Sequence, residues 1–364
     1  MPVSARKFLG STVDVAIIEP RFYRLLTSQN NFSIMKVKHY IIILCCALFI
    51  ACTQQPSFPR KETITHELFP LQGVTAPSAL EVKHPFLVVQ NDRERDSLFH
   101  IYNLNTYQLT SAFGVRGQGP DEFISPFLLP ALFSDFVIAD MDNRFQTYLF
   151  GITQEGTPML NAIIRPKNEG LLNAAFINDS LYVSTDIFFA PRLSLFTFQD
   201  EEPRKIWGDG RSDLLEFWLN PEFGWVFAND SRILLAYSFK NLILFMDTDF
   251  NIIKEVRFRH RPPRTITRQN LDVIENTYVA GYVGKRYFYA LFVGTPWTEW
   301  EDPSFRRGIL KVFDLDGNPI IKYHLDGLMP TTFVVDEETF TLYGFRFDGE
   351  PEDYLIVYRL IGLQ

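Results

Sequence analysis

The 364-residue sequence predicts an all-β fold, a six-bladed β-propeller preceded by a short N-terminal signal segment. Three observations predict it. From about residue 62 onward there is no long amphipathic helix, and short apolar or alternating runs recur between clusters of Asn, Asp, Gly and Pro, as strands and turns do. Those runs group at a spacing of roughly 40 to 50 residues, the length of a propeller blade. Aromatic residues reach 15%, with 35 Phe, and side chains of this kind favour the pleated surface of a sheet.

Composition sets the outer limits. Hydrophobic residues are 46% and charged residues 21%, so the chain can bury a sizeable core. Its length suits one large domain or two ordinary ones. A formal net charge of −8 excludes an ordinary nucleic-acid partner, which needs a basic surface.

The first segment stands apart. Lys36 and Lys38 follow Met35, then comes the apolar run "YIIILCCALFI" (40–50), then Ala51 and Cys52. That is the layout of a secretory signal, and the run falls short of the roughly 20 residues a membrane span requires. Polar "TQQPSFPRK" follows as a tether follows an anchor, which a buried helix would not show. The ending "LFIAC" resembles a bacterial lipobox, with Phe49 where an aliphatic residue is usual. The resemblance implies cleavage between Ala51 and Cys52 and lipidation of Cys52. Cys45 and Cys46 lack a small residue before them and leave with the signal. A domain without cysteine cannot mispair in an oxidising envelope. The expected divisions are an upstream mis-start over 1–34, a signal peptide over 35–51, a tether over 52–61 and the propeller over 62–364. Residues before Cys52 hold six of the 35 Lys/Arg and two of the 43 Asp/Glu, so the mature chain carries a net charge of −12.

Six groups of runs follow. "HPFLVVQND", "DSLFHIYNL" and "YQLTSAFG" fill 84–114, and "SDFVIADMDN", "RFQTYLFGI" and "PMLNAIIRP" fill 134–166. "NDSLYVSTD", "RLSLFTFQ" and "PRKIWG" fill 178–208, and "DSRILLAYS", "NLILFMDT" and "NIIKEVRFR" fill 230–259. "KRYFYALFVG", "GILKVFDLDG" and "NPIIKYHLDG" fill 285–327, and the sixth group covers 333–361. Asp316-Gly317 marks the clearest hairpin, a turn that needs positive φ. The last group is one strand short, and "KETITHELF" (61–69) is expected to pair with it and close the ring. A sandwich or barrel of similar strands is the alternative arrangement.

"FGVRGQGPDEF" (113–123) resembles the G-x-G-P-x-E-F signature of TolB-like six-bladed β-propeller lipoproteins, with Asp121 where that family often has Gly. The stretch from "ILKVFDLDG" to "YLIVYRL" is similar to the last two blades of the same family. The resemblance implies a propeller tethered to the cell envelope, at the outer membrane and facing periplasm or surface, and no particular reaction. Within the signature, Gly117 and Gly119 are expected to supply unusual φ beside Pro120 and Glu122, and Phe123 to fill the space between blades.

No residues spell out catalysis. "GVRGQG" is followed by Pro120 and no helix, so no helix N-terminus is on hand for an anion. G-x-S-x-G, H-E-x-x-H and P-loop patterns are absent. His39, His66, His84, His100, His260 and His324 are scattered without metal-ligand spacing, and no cysteine follows Cys52. "ADMDNRF" (139–145) loosely resembles a calcium loop but lacks the Gly and distal Glu, and reads better as a turn. No metal and no cofactor are expected.

Two stretches are candidate contact surfaces. "RFRHRPPRTITR" (257–268) is the one basic run; Arg261 and Arg264 within it suit an anion, an acidic glycan or a lipid headgroup, or else form a solvated strand and a Pro-Pro loop. "GTPWTEWEDPSFRR" (294–307) is longer than a hairpin requires, and Trp297, Trp300 and Glu299 could stack on and hydrogen-bond a sugar or peptide, or pack on themselves. The expected function is a non-catalytic binding or scaffold module, held to the membrane by its N-terminal lipid, for a protein, peptide or glycan. The alternatives are a hydrolase or lactonase with its site in the central channel, or an accessory subunit of an outer-membrane uptake or secretion complex.

Overall fold

Short runs of Phe, Tyr, Ile, Leu and Val separated by Asn- and Asp-led turns fold here as antiparallel meanders. The computed structural model describes residues 56–363 apart from 120, 141–145, 168–173, 186–191, 209–218, 303 and 347–353. The signal segment, Ala51, Cys52, Pro120 and most of the calcium-like stretch lie outside the described residues. Among the described residues no helix is long and apolar enough to cross a membrane.

The order of strands begins with β1 (Arg60–Pro70), two residues ahead of the expected domain start. Phe58 before it is already buried, with its ring 5.7 Å from Phe258 and 5.3 Å from Phe313. The first meander is β2 (Pro77–Lys83), β3 (Phe86–Asn91), β4 (Phe99–Asn103) and β5 (Gln108–Phe113). A short parallel ribbon of β6 (Val115–Arg116) and β7 (Glu122–Phe123) leads out of it. Next come β8 (Pro126–Leu129), β9 (Phe136–Asp140), β10 (Gln146–Ile152) and β11 (Pro158–Ile164). The third sheet is β12 (Ala174–Phe176), β13 (Leu181–Thr185), β14 (Leu193–Thr197) and β15 (Lys205–Trp207). The fourth is β16 (Gly224–Ala228), β17 (Ile233–Tyr237), β18 (Leu242–Met246) and β19 (Ile252–Arg257).

The remaining strands are β20 (Glu275–Val283), β21 (Tyr287–Pro296), β22 (Ile309–Asp314), β23 (Pro319–Asp326), β24 (Thr332–Asp336), β25 (Thr341–Phe345) and β26 (Tyr354–Arg359). With β1 they make one eight-stranded sheet in the order β20-β21-β22-β23-β1-β26-β25-β24. β1 changes partner halfway: Arg60 to Thr65 run parallel to Ile321 to Asp326, then His66 to Pro70 run antiparallel to Tyr358 to Tyr354. One strand thereby covers two outer edges that would otherwise be open for pairing with another chain. The expected pairing of "KETITHELF" with the last group is present.

The first strand of each meander faces the next around a centre: β2 packs on β8 and β24, β24 on β20, β20 on β16, and β16 on β12. The sheets radiate from these strands, a propeller-like arrangement. Strands β3, β9, β17, β18 and β25 are buried along their whole length. Neighbouring sheets cover both their faces, so they read as unbroken apolar runs. Aromatic rings fill the gaps between sheets, for example Phe113 against Phe136 at 6.0 Å and against Phe150 at 5.5 Å, and Phe245 against Phe313 at 5.9 Å.

The sequence grouping needs correcting at one strand per unit. The first five groups begin at β3, at the turn before β9, and just before β13, β17 and β21, so they omit β2, β8, β12, β16 and β20. β8 and β12 span four and three residues, too short to show alternation. The Gly-rich signature needs a second correction. Gly117 and Gly119 do not have positive φ; Gly114 does, at 85°. What excludes a side chain is proximity: a Cβ on Gly117 would lie 1.9 Å from Glu122 Oε2, and one on Gly119 would lie 2.9 Å from the Glu122 carboxyl carbon. Glu122 Oε2 accepts the Gly119 N–H at 2.7 Å, and the Phe123 carbonyl accepts the Gly117 N–H at 2.9 Å. Phe123 is buried between Phe99 (5.7 Å) of β4 and Tyr148 (5.1 Å) of β10.

Asp140, at the start of the calcium-like stretch, is fully buried and accepts the N–H groups of Ile124 (3.0 Å) and Ser125 (2.8 Å). Its carboxylate ties the second sheet to the signature turn.

Candidate functional site

The first strands share one direction, so their ends define two different mouths of a central channel. One set of residues of these strands lines a cavity of about 670 Å³: Ala79 and Leu80 of β2, Leu128 of β8, Trp225 and Phe227 of β16, Val279 to Tyr282 of β20, and Thr332 to Val334 of β24. The late residues line a pocket of about 100 Å³: Glu81 to His84, then Tyr282, Gly284 and Lys285, then Val335 to Glu338, joined by Ala131, Leu132 and Ser134 after β8. Tyr282 borders both.

At the wide end the loop between β21 and β22 opens with one helical turn, Trp297–Trp300. A side pocket of about 260 Å³ lies beneath it, lined by Phe223, Phe239, Tyr278 and Trp297, and it shares Trp225, Val279, Trp300 and Glu301 with the large cavity. Both indole N–H groups are committed to the protein: Trp297 donates to Asp272 Oδ1 and Trp300 to Asn276 Oδ1, each at 3.1 Å. The buried Arg346 guanidinium donates to the carbonyls of Met329 (3.2 Å) and Glu301 (3.0 Å), which fixes the turn from below. The tryptophans therefore offer carbon surface, and the loop that carries them is braced.

At the narrow end the carboxylates differ in how they are used. Glu337 accepts the N–H groups of Lys285 (3.0 Å), Arg286 (3.0 Å) and Tyr287 (3.1 Å) and the Tyr289 hydroxyl (3.2 Å). Asp336 Oδ2 lies 2.8 Å from His84 Nδ1 and accepts the Thr339 hydroxyl at 2.8 Å, while Oδ1 accepts the Glu338 N–H at 2.9 Å. Lys83 pairs with Asp135 at 3.2 Å. Glu81 is 2% exposed and its Oε2 has no hydrogen-bond partner. Burial pushes its carboxyl well above the usual carboxylate range, against a smaller opposing pull from Lys83. Burial likewise raises Tyr282, and Glu81, Glu337 and Asp336 add to it in that order.

Of the residues the sequence singles out, Trp297 and Trp300 line the site. Glu299 is exposed beside them and pairs with Arg307 at 2.9 Å rather than lining either pocket. Arg261 and Arg264 are exposed on the loop between β19 and β20 and border none of the three cavities. Trp225, Phe227, Tyr278, Tyr282 and Glu81 were not legible beforehand. Each sits on a first strand whose inward residues carry no periodic signal. Among the described residues no group of three or more His, Cys, Asp or Glu side chains could hold a metal ion.

No protein-family model matches the chain, and no curated protein is significantly similar to it. Solved structures are. A member of the DUF4221 family from Bacteroides vulgatus ATCC 8482 superposes with a TM-score of 0.51 at 12% identity, over 81% of this chain and 95% of that one. A candidate exported protein from Bacteroides fragilis NCTC 9343 gives a TM-score of 0.46 at 10% identity, over 82% of this chain and 97% of that one, and carries no argument at that level. The first likeness shows the fold alone: an all-β protein with a propeller-like arrangement of sheets.

Proposed function

We propose that the chain is a lipid-anchored, cell-envelope binding module, a six-bladed propeller whose ligand enters the aromatic end of the central channel. The count of six rests on β1, which adds a fourth strand to β24–β26 and joins them to the four-stranded meander β20–β23 in the eight-stranded sheet. The TolB-like reading rests on the signature that seats Gly117 and Gly119 against Glu122. Export and anchoring rest on the basic, apolar, small-residue order from Lys36 to Cys52.

One observation carries the binding reading: a cavity of about 670 Å³, in the size range of small-molecule sites, with three tryptophans at or beside its wide end on a braced loop and strand. Cavities of this kind bury an apolar or aromatic group and fix it with few polar contacts. The committed indole N–H groups favour a peptide side chain or apolar small molecule over a glycan that relies on hydroxyl hydrogen bonds. A test uses N-acetyl-tryptophanamide and 1-octanol as probes, followed by calorimetry. Trp225→Ala and Trp300→Ala are expected to weaken binding about tenfold or more with circular dichroism unchanged. A wild-type protein that binds neither probe overturns the reading. For the anchor, Cys52→Ala is expected to release the protein from membranes, and a variant that still labels with fatty acid disproves it.

A further inference from the structure

The channel is amphipathic along its axis, and its polar end contains an acid without a partner. We propose that the narrow end binds a primary ammonium group carried on an apolar stem, with Glu81 as its counter-charge; this rests on the reading of the channel as the binding site.

The placement comes first. Ala79 lines the wide cavity and Glu81 the narrow pocket, two residues on along the same face of β2. At about 3.3 Å per residue Glu81 lies roughly 7 Å deeper than Ala79. Tyr282 borders both compartments, so a stem passing inward from the aromatic end runs along its ring.

The choice of an ammonium follows from which groups are already spent. Asp336 is held by His84 and Thr339, and Glu337 by three backbone N–H groups and Tyr289. Lys83 is paired with Asp135. Facing Glu81 around the pocket are Lys83 from its own strand and His84 just after it, Tyr282 from β20 and Lys285 from the turn that follows, Asp336, Glu337 and Glu338 from β24 and its turn, and Ser134 from the segment after β8. Acids outnumber bases there, in a mature chain of net charge −12. One orphaned carboxyl oxygen in a space of about 100 Å³ suits a single small cation that brings its own N–H donors. A divalent metal would need further free ligands, which the hydrogen bonds above have taken.

Burial favours the protonated form of the Glu81 carboxyl, since an unpaired buried charge is costly. Entry of an ammonium reverses that preference. The Glu81 proton leaves to water as the ammonium arrives, and the pair formed is neutral overall.

The experiment is calorimetry on the full-length protein at pH 7.5 with octylammonium, 1-octanol and octanoate, each in two buffers of different ionisation enthalpy. Octylammonium is expected to bind at least about tenfold tighter than octanol, octanoate to bind weakest, and octylammonium alone to release a proton on binding. Glu81→Gln is expected to abolish the preference for octylammonium over octanol and the proton release that accompanies it. Equal affinities for octanol and octylammonium, or a preference for octanoate, overturn the ammonium site while leaving the apolar channel standing. No binding of any probe overturns the channel reading itself. Should Glu81→Gln fail to fold, the ranking of the three probes on the wild-type protein and the proton count decide the matter.

Discussion

The peripheral hairpins and the channel-lining strands belong to the same sheets, yet they are specified in opposite ways. At the periphery, Asp247 and Asp314 each accept two backbone N–H groups, from Asp249 and Asn251 (2.9 Å each) and from Asp316 and Asn318 (3.0 and 2.7 Å). Asn251 and Asn318 each donate back to the same aspartate through their side-chain amides. The repeated D-x-D-x-N spacing makes the turn with residues no more than four apart, so it is written locally. Around the channel, Glu81, Trp225, Tyr282 and Asp336 meet from strands far apart in the chain, and no local pattern announces them.

The contrast is not absolute. Gly317 holds the left-handed position of its turn at φ 78°, as a glycine can without cost. Phe250 holds the matching position at φ 61°, where a bulky side chain is strained. Its ring is buried in the core between the third and fourth sheets, alongside Leu244 and Met246, and that burial outweighs the backbone preference. Tertiary packing thus rewrites even a turn that is locally encoded.

Deleting residues 56–70 removes β1 and should have the largest effect, because its two halves cover the edges of β23 and β26. Loss of a cooperative thermal transition in near-UV circular dichroism is expected; retention of it would show that the ring does not depend on this strand.

Glu81→Gln tests the channel side of the contrast through pH. The folded carboxyl holds its proton more tightly than the unfolded one, whose pKa is 4.5, so folded stability falls as pH rises above that value. The loss is about 1.4 kcal/mol per pH unit until the folded carboxyl itself titrates. Glutamine does not titrate. The variant is therefore expected to melt higher than the wild type at pH 8, with the gap closing toward pH 4. An equal gap at both pH values would show that Glu81 is not the titrating group.

Asp314→Ala tests the periphery and should cost about 1–2 kcal/mol in chemical denaturation, since it removes the acceptor for two turn N–H groups. Probe binding in the channel should not change; a parallel loss of binding would mean that the two regions are coupled. Arg307→Ala breaks the exposed pair with Glu299 and the cation–π contact with Phe305 (5.5 Å) and should cost about 1 kcal/mol. Arg261→Ala and Arg264→Ala should leave channel binding as it is, because neither side chain borders a cavity, and weakened binding would reinstate the basic run as a contact surface.

Legibility in the sequence tracks this division. The unbroken apolar runs of β3, β17 and β18, the Asp316-Gly317 turn and the edge strand at 61–69 could all be read from neighbouring residues, because each is a local statement about burial or turn geometry. Trp297 and Trp300 could be picked out because their loop is longer than a hairpin needs, although where that loop comes to rest could not. The first strands β8 and β12 escaped notice because they are short, and the glycines of the signature were misjudged because the obstacle to a side chain is the Glu122 carboxylate rather than φ.

By itself, then, the sequence determined that this chain is all-β, built of repeated meanders with an early strand paired to the last group, since period, turn chemistry and aromatic content act over a few residues at a time. Only the tertiary structure decided that the inner strands leave a channel, that this channel is aromatic at one end and acidic at the other, and that Glu81 is stranded without a partner. Those properties arise where strands far apart in the chain converge, and burial there depends on which side chains face one another across the centre.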